Sequence, residues 1–110
     1  MIQITIYRNE KKECLGFSTE GHAGYSEEGQ DIVCAAASVL IINTINAIEK
    51  FAGDSSSLVS DDITGMIRYE IKGRPSGKAA LLLDTMILGL KDMACDENYT
   101  EYIQLKFEEV

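Results

Sequence analysis

The stretch DIVCAAASVLIINTINAIEKFAG at residues 31–53 decides the fold, because it predicts one long helix at the centre of the chain. Asp31 is expected to be its N-cap, since its carboxylate can accept hydrogen bonds from the first free backbone N–H groups. The helix should run to about Phe51 and stop near Gly53, which can take the left-handed conformation at a helix C-terminus. Apolar residues cover more than one face, so the helix is expected to be buried on most sides, either within the monomer or in part against a second subunit.

Strands are predicted on both sides of this helix from alternating apolar and polar residues and from turn signals. The other predicted elements are strands at 2–7, 14–20, 58–60, 66–72 and 102–107, and an amphipathic helix from the cap Ser76 to about Cys95. The order ββαββαβ indicates an α+β fold, in which two helices pack on a sheet of about five strands. The length suits a single domain, residues 1–110.

The charge of the chain restricts the kind of partner that it can bind. It carries 18 Asp and Glu against 10 Lys and Arg, for a net charge of −8. A surface of this sign repels phosphate backbones, so no direct nucleic-acid binding is expected. The same field attracts a basic protein or peptide.

The hydropathy pattern predicts no membrane segment. The longest apolar run, Ile32 to Ile42 with one serine inside it, is shorter than the ~18 residues that a membrane-spanning helix needs. The N-terminal sequence MIQITIYRNEKK alternates and then turns charged, unlike a signal peptide with its basic start and apolar centre. We therefore expect a cytoplasmic protein that has no membrane partner.

The three cysteines, Cys14, Cys34 and Cys95, are widely spaced. An odd number at such spacing does not make a disulfide framework, and no paired spacing of metal ligands is present, so no metal site is expected. Cys14 and Cys95 have no histidine or glycine context. Both are interpreted as packing residues.

Cys34 is the candidate nucleophile of the chain. A lone cysteine in an alanine-rich helix is usually a small buried hydrophobe, and this alternative stays open. If Asp31 is the cap, however, Cys34 is the third helical residue, where the helix dipole favours thiolate over thiol. The unpaired N–H groups of that turn can also stabilise the oxyanion that forms when a carbonyl is attacked.

His22 is the only histidine, so any histidine-assisted chemistry within one chain must use it. It follows Gly21 at the end of a predicted strand, from which its imidazole can be aimed at the helix start; the alternative is an exposed histidine without a role. In a Cys–His pair the imidazole would accept the thiol proton and later protonate the leaving amine. Asp31 either caps the helix or orients His22, and capping is preferred. Ser38, one turn after Cys34, lies on the same helix face.

The motif G-H-A at residues 21–23, followed by G-x-D-I-V-C-A-A-x-S at residues 29–38, resembles the ribosomal-processing cysteine protease family called Prp. The resemblance implies a cysteine endopeptidase with a Cys34–His22 dyad and no cofactor, with Gly21 and Ala35 as supporting motif positions. It also implies a homodimer whose substrate is the N-terminal extension of large-subunit ribosomal protein twenty-seven. Removal of that extension is needed for ribosome maturation.

Two other classes of function stay open at this stage. A non-catalytic ribosome-assembly protein would bind a basic peptide without cleaving it. A thiol redox sensor would oxidise Cys34 reversibly, although the spacing shows no resolving cysteine. The sequence also leaves open whether Cys34 and His22 are in contact without substrate.

Overall fold

The computed structural model describes residues 1–21, 28–61 and 63–110, with the backbone alone for 28–31. The chain forms the predicted ββαββαβ order, and its α+β architecture is confirmed. The elements are β1 (Ile2–Arg8), β2 (Cys14–Glu20), α1 (Glu28–Ala47), a π-helical turn (Ile48–Ala52), β3 (Ser56–Asp61), β4 (Met66–Ile71), α2 (Gly77–Cys95) and β5 (Ile103–Glu109).

The five strands form one mixed sheet in the order β3-β4-β2-β1-β5. The two hairpins pair antiparallel, as does β2 with β4, while β5 lies parallel to β1. Alternation along β1 puts Ile2, Ile4 and Ile6 on one face, where they are almost completely buried. They share a single core cluster with apolar side chains of both helices, so α1 and α2 cover the same face of the sheet.

The first helix begins four residues earlier than the sequence predicted, at Glu28 and not at Ile32, so the assignment of Asp31 as N-cap is wrong. The helix starts at Glu28, which makes Asp31 its fourth residue and Cys34 its seventh. A glutamate is favourable in a first helical turn because the helix dipole is positive there, and no proline prevents the earlier start. The side chain of Asp31 lies outside the described residues.

The predicted end of this helix is confirmed. After Ala47 the helix continues through the π-helical turn to Gly53, which has a φ of 74° and donates its N–H to the carbonyl oxygen of Ile48 at 2.8 Å. Glycine pays no steric cost for that left-handed conformation. The stop signal read from the sequence is therefore the one that the chain uses.

Only one side of α1 is buried in the single chain, in contrast to the expectation of burial on most sides. Val33, Ala37 and Ile41 are 1–2% exposed and belong to the core. On the opposite side Val39 is 68% exposed and Ile32 is 55% exposed. The sequence left open whether the helix is buried within the monomer or in part against a second subunit. Burial within the monomer is wrong for the face that carries Ile32 and Val39.

The sequence was expected to hold no segment that is long and apolar enough to cross a membrane. This expectation is wrong, because one helix meets both criteria. The helical stretch Ile32–Ala52 has 21 residues and a mean hydropathy of 1.8. One such helix is weak evidence for a membrane span, because the core helix of a water-soluble protein passes the same test. One third of the tested segment is buried, within the core described above.

The second helix has the predicted cap and the predicted end. Ser76 Oγ accepts a hydrogen bond from the Ala79 N–H at 3.1 Å, and the helix ends at Cys95. Asp54 accepts from both the N–H and the Oγ of Ser76, at 2.8 and 2.6 Å, and these bonds lower the pKa of its carboxyl. The start of α2 is thereby tied to the loop that precedes β3.

The interpretation of Cys14 as a packing residue is confirmed, and that of Cys95 is wrong. Cys14 is 2% exposed and its thiol donates to the Gly16 carbonyl oxygen at 3.4 Å. Cys95 is exposed. The buried stripe of α2 runs through Leu83, Ile87 and Leu90 at helical spacing, and the last residue of the helix does not fall on it.

Burial of Cys14 predicts a loss of stability at alkaline pH. Burial, and next the negative charge of Asp84, raise the pKa of the thiol from 9.0 to about 11. The unfolded chain then releases this proton first, so the stabilisation is complete below pH 9 and is lost as pH rises towards 11. We expect the free energy of unfolding to fall on the order of 2 kcal/mol more steeply over that range than in Cys14→Ala. Urea denaturation from pH 8 to 10.5 measures this difference, and equal slopes for the two proteins would contradict it.

Candidate active site

Cys34 lies in the wall of a cavity of about 340 Å³ between α1 and the β3–β4 hairpin. Its side chain is partly exposed, unlike that of the buried Cys14. The helix contributes Cys34, Ser38, Ile42 and Asn46 to one wall, at intervals of one turn. A core cysteine would not border an open cavity, so the interpretation of Cys34 as a purely packing residue loses its support.

The opposite wall comes from the end of the sheet. Leu58 and Ser60 of β3 line it together with Met66 of β4. Among the described residues that border the cavity, Asp61 is the only charged one, and most of the remainder are apolar. A surface of this kind suits an extended, mainly apolar peptide segment better than a highly charged small molecule.

Gly21 brings the end of β2 to the same cavity. It has a φ of 79°, and a Cβ at this position would lie 2.4 Å from the carbonyl oxygen of Met1. Both observations require glycine here, since other residues rarely adopt this φ and a side chain would overlap the first residue of the chain. The chain therefore leaves β2 in the cavity wall directly before His22, and His22 itself lies outside the described residues.

The position of Cys34 within α1 changes its predicted electrostatics. In an α-helix that begins at Glu28, only the first four amides lack an intrahelical partner, and that of Cys34 is the seventh. The dipole effect also falls off within the first turn, and Cys34 lies ~9 Å along the axis from the helix start. The expected effect of the helix dipole on the Cys34 thiol is therefore wrong for this helix. The amide of Cys34 is likewise not one of the unpaired N–H groups that were expected to stabilise the oxyanion.

The structure places the other predicted site residues as follows. Gly21, Cys34 and Ser38 border one cavity, while Ala35 is exposed on the helix surface and does not border it. Asp31 belongs to the first turn and a half of α1, and its interaction with His22 stays a prediction. Among the described residues no group of three His, Cys, Asp or Glu is placed to hold a metal ion.

Sequence reasoning missed the β3–β4 wall of the cavity. Leu58 and Ser60 occupy alternate positions of an edge strand, so their side chains point to the same face as the core. In the sequence this strand reads SSLVSD, which predicts a strand and gives no sign of a ligand. The exposure of Leu58 and Val59, 53% and 54%, is the structural sign that this strand borders an open surface.

Comparisons with known proteins agree on one family. Residues 1–104 match the model of the family described as cysteine protease Prp. The chain is 34% identical over 100 residues to the ribosomal processing cysteine protease Prp of Bacillus subtilis, covering 87% of this chain and 89% of that one. It superposes with a TM-score of 0.86 on an essential ribosomal processing protease Prp from S. aureus in complex with a covalently linked product peptide, at 30% identity and 98% and 100% coverage. A solved structure from Streptococcus mutans gives a TM-score of 0.87 at 33% identity, covering 100% and 99%.

Proposed function

Because this chain belongs to the cysteine protease Prp family, we propose that it is a ribosomal-processing cysteine endopeptidase whose nucleophile is Cys34. Its substrate is the N-terminal extension of large-subunit ribosomal protein twenty-seven, and it acts in the cytoplasm. The observation that carries the proposal is the partly exposed thiol of Cys34 in the wall of a mainly apolar cavity. The similar ribosomal processing protease from S. aureus has been solved with a covalently linked product peptide, which supports an acyl-enzyme route.

The reaction follows from the chemistry of a Cys–His pair. His22 takes the proton of the Cys34 thiol, and Sγ attacks the scissile carbonyl carbon. The C–N bond then breaks, the imidazolium gives its proton to the leaving amine, and a thioester remains on Cys34. Water, deprotonated by His22, attacks the thioester and returns the free thiol and a peptide carboxylate. Since Cys34 lies beyond the first turn, where the dipole effect is confined, its thiol needs a neighbouring base, and this need supports the role of His22.

The charge of the molecule supports a basic substrate. A net charge of −8 attracts a basic ribosomal protein and raises its encounter rate at low salt. Direct nucleic-acid binding is not part of this proposal, because the same charge opposes it.

A peptide that spans the ribosomal extension tests this function. We expect purified protein to cut it at one bond, which mass spectrometry identifies, and to stop cutting after alkylation of Cys34. Binding of the peptide without cleavage would contradict the protease function and favour the alternative, a non-catalytic ribosome-assembly protein. Cleavage that survives complete alkylation of Cys34 would contradict the assignment of the nucleophile.

The outer face of α1 supports a homodimer. Ile32 and Val39 are 55% and 68% exposed, and the exposed Ala35 and Ala36 between them allow close approach of a second helix. Large exposed apolar patches of this kind mark interaction surfaces. We infer that this face packs against the same face of a second copy.

Val39→Glu tests this dimer surface. Burying two unpaired carboxylates between the helices costs several kcal/mol, so we expect the variant to be monomeric at micromolar concentration in analytical ultracentrifugation. Leu88→Glu is the matched control, because Leu88 is similarly exposed, at 62% against 68%, on α2. A wild-type protein that sediments as a monomer, or equal dissociation of both variants, would contradict the assignment.

A further inference from the structure

A second cavity continues the first one along the same helix and strand. It has a volume of about 310 Å³ and shares Ile45 and Leu58 with the cavity at Cys34. Glu49 of the π-helical turn, Asp54 and Ser56 complete its rim. The two cavities together form a groove between α1 and β3, and we call this the α1–β3 groove.

The edge of the sheet makes the α1–β3 groove suitable for an extended chain. β3 is the outermost strand and pairs on one side only, with β4. Every residue of β3 is exposed, and Ser56, Leu58 and Ser60 line the groove at alternate positions. An unpaired strand edge with alternating contacts is the geometry that binds a peptide as an added strand.

The far end of the α1–β3 groove is negative. Asp54 directs both carboxylate oxygens to Ser76, whereas the carboxylate of Glu49 makes no hydrogen bond or ion pair within the described part of the chain. Burial first, and then the charges of Asp54 and Glu49, raise the pKa of Tyr69, which lies on the floor between them. Glu49 is therefore the carboxylate that is available to a ligand.

We propose that the substrate peptide extends from Cys34 into this second cavity, where Glu49 binds the side chain of a lysine or arginine. Fifteen helical positions separate Cys34 from Glu49, which corresponds to ~22 Å along the axis. An extended peptide covers that length with about seven residues. The basic residue therefore lies about seven positions from the scissile bond, and this inference rests on the proposed function.

The test scans one basic residue along the substrate. In peptides based on the ribosomal extension, lysine or glutamine is placed at each position from four to nine residues on either side of the mapped scissile bond. For wild type we expect the ratio of kcat/KM for lysine over glutamine to peak about seven residues away on one side, by roughly twofold to fivefold, as for an exposed ion pair. In Glu49→Gln that peak should fall towards a ratio of one.

A second substitution that removes one negative charge elsewhere distinguishes a direct contact with Glu49 from the effect of the overall charge of the protein. Glu101→Gln removes the same charge beside β5, at the opposite edge of the sheet, and should keep the peak. A scan without a peak, or a peak that survives in Glu49→Gln, would overturn the proposal while leaving the protease assignment intact. The affinity of Cys34→Ala for fluorescent versions of the same peptides gives the same ratio without chemistry. If wild type cleaves none of the peptides, the proposed activity fails. The affinity ratio alone then decides whether Glu49 binds a basic side chain.

Discussion

Replacing Cys34 by alanine is expected to abolish cleavage of the ribosomal extension peptide while the protein stays folded. Loss of a catalytic nucleophile lowers kcat roughly 10⁴-fold or more, because no acyl-enzyme can form. The side chain of Cys34 is only partly buried and borders a cavity, so its truncation should cost little stability. Kinetics by quantitative mass spectrometry, with circular dichroism for folding, measures both effects.

Two further substitutions accompany the Cys34→Ala variant, one at Cys95 as a control and one at His22. Cys95→Ala changes an exposed thiol and should cut the peptide at the wild-type rate. His22→Ala is expected to lose activity to a similar degree if the imidazole activates Cys34. Activity of Cys34→Ala within tenfold of wild type would rule out Cys34 as the nucleophile.

Replacing Gly21 by alanine is expected to lower both stability and activity. The φ of 79° is strained for any residue with a Cβ, and the new methyl group would meet the backbone carbonyl of Met1 at 2.4 Å. Strain and overlap together should lower the free energy of unfolding by about 2 kcal/mol or more. Activity should fall as well, because Gly21 borders the cavity and directly precedes His22.

Gly77→Ala is the matched control for this substitution. Gly77 begins α2, its φ is not positive, and a Cβ there would meet nothing within 4 Å. Alanine is a better helix former than glycine, so this variant should be as stable as wild type or slightly more stable. Equal urea midpoints for Gly21→Ala and Gly77→Ala would show that the end of β2 adjusts without cost.

Local signals in the sequence determined the elements of this protein. The alternation of Ile2, Ile4 and Ile6 predicted a strand, and Ser76 and Gly53 marked the ends of two helices, since these properties depend only on nearby residues. The same is true of the motif around Cys34, whose residue types named the family before any geometry was known. The prediction of Asp31 as the N-cap failed because an N-cap lies where the backbone enters the helix. The three residues before Asp31, at positions 28–30, are themselves part of the helix.

Only the tertiary structure decided what surrounds Cys34. The β3–β4 hairpin that faces Cys34 begins more than twenty residues after it in the chain, and no local pattern in SSLVSD indicates that contact. Likewise, Cys14 and Cys95 look alike in sequence, and their opposite exposures follow from which side of an element faces the core. The sequence by itself thus determined the helix that carries Cys34, while the packing of the edge strand against that helix decided the groove and its charged end. The physical reason is that secondary structure follows from local preferences, whereas a binding surface needs long-range contacts that these preferences do not encode.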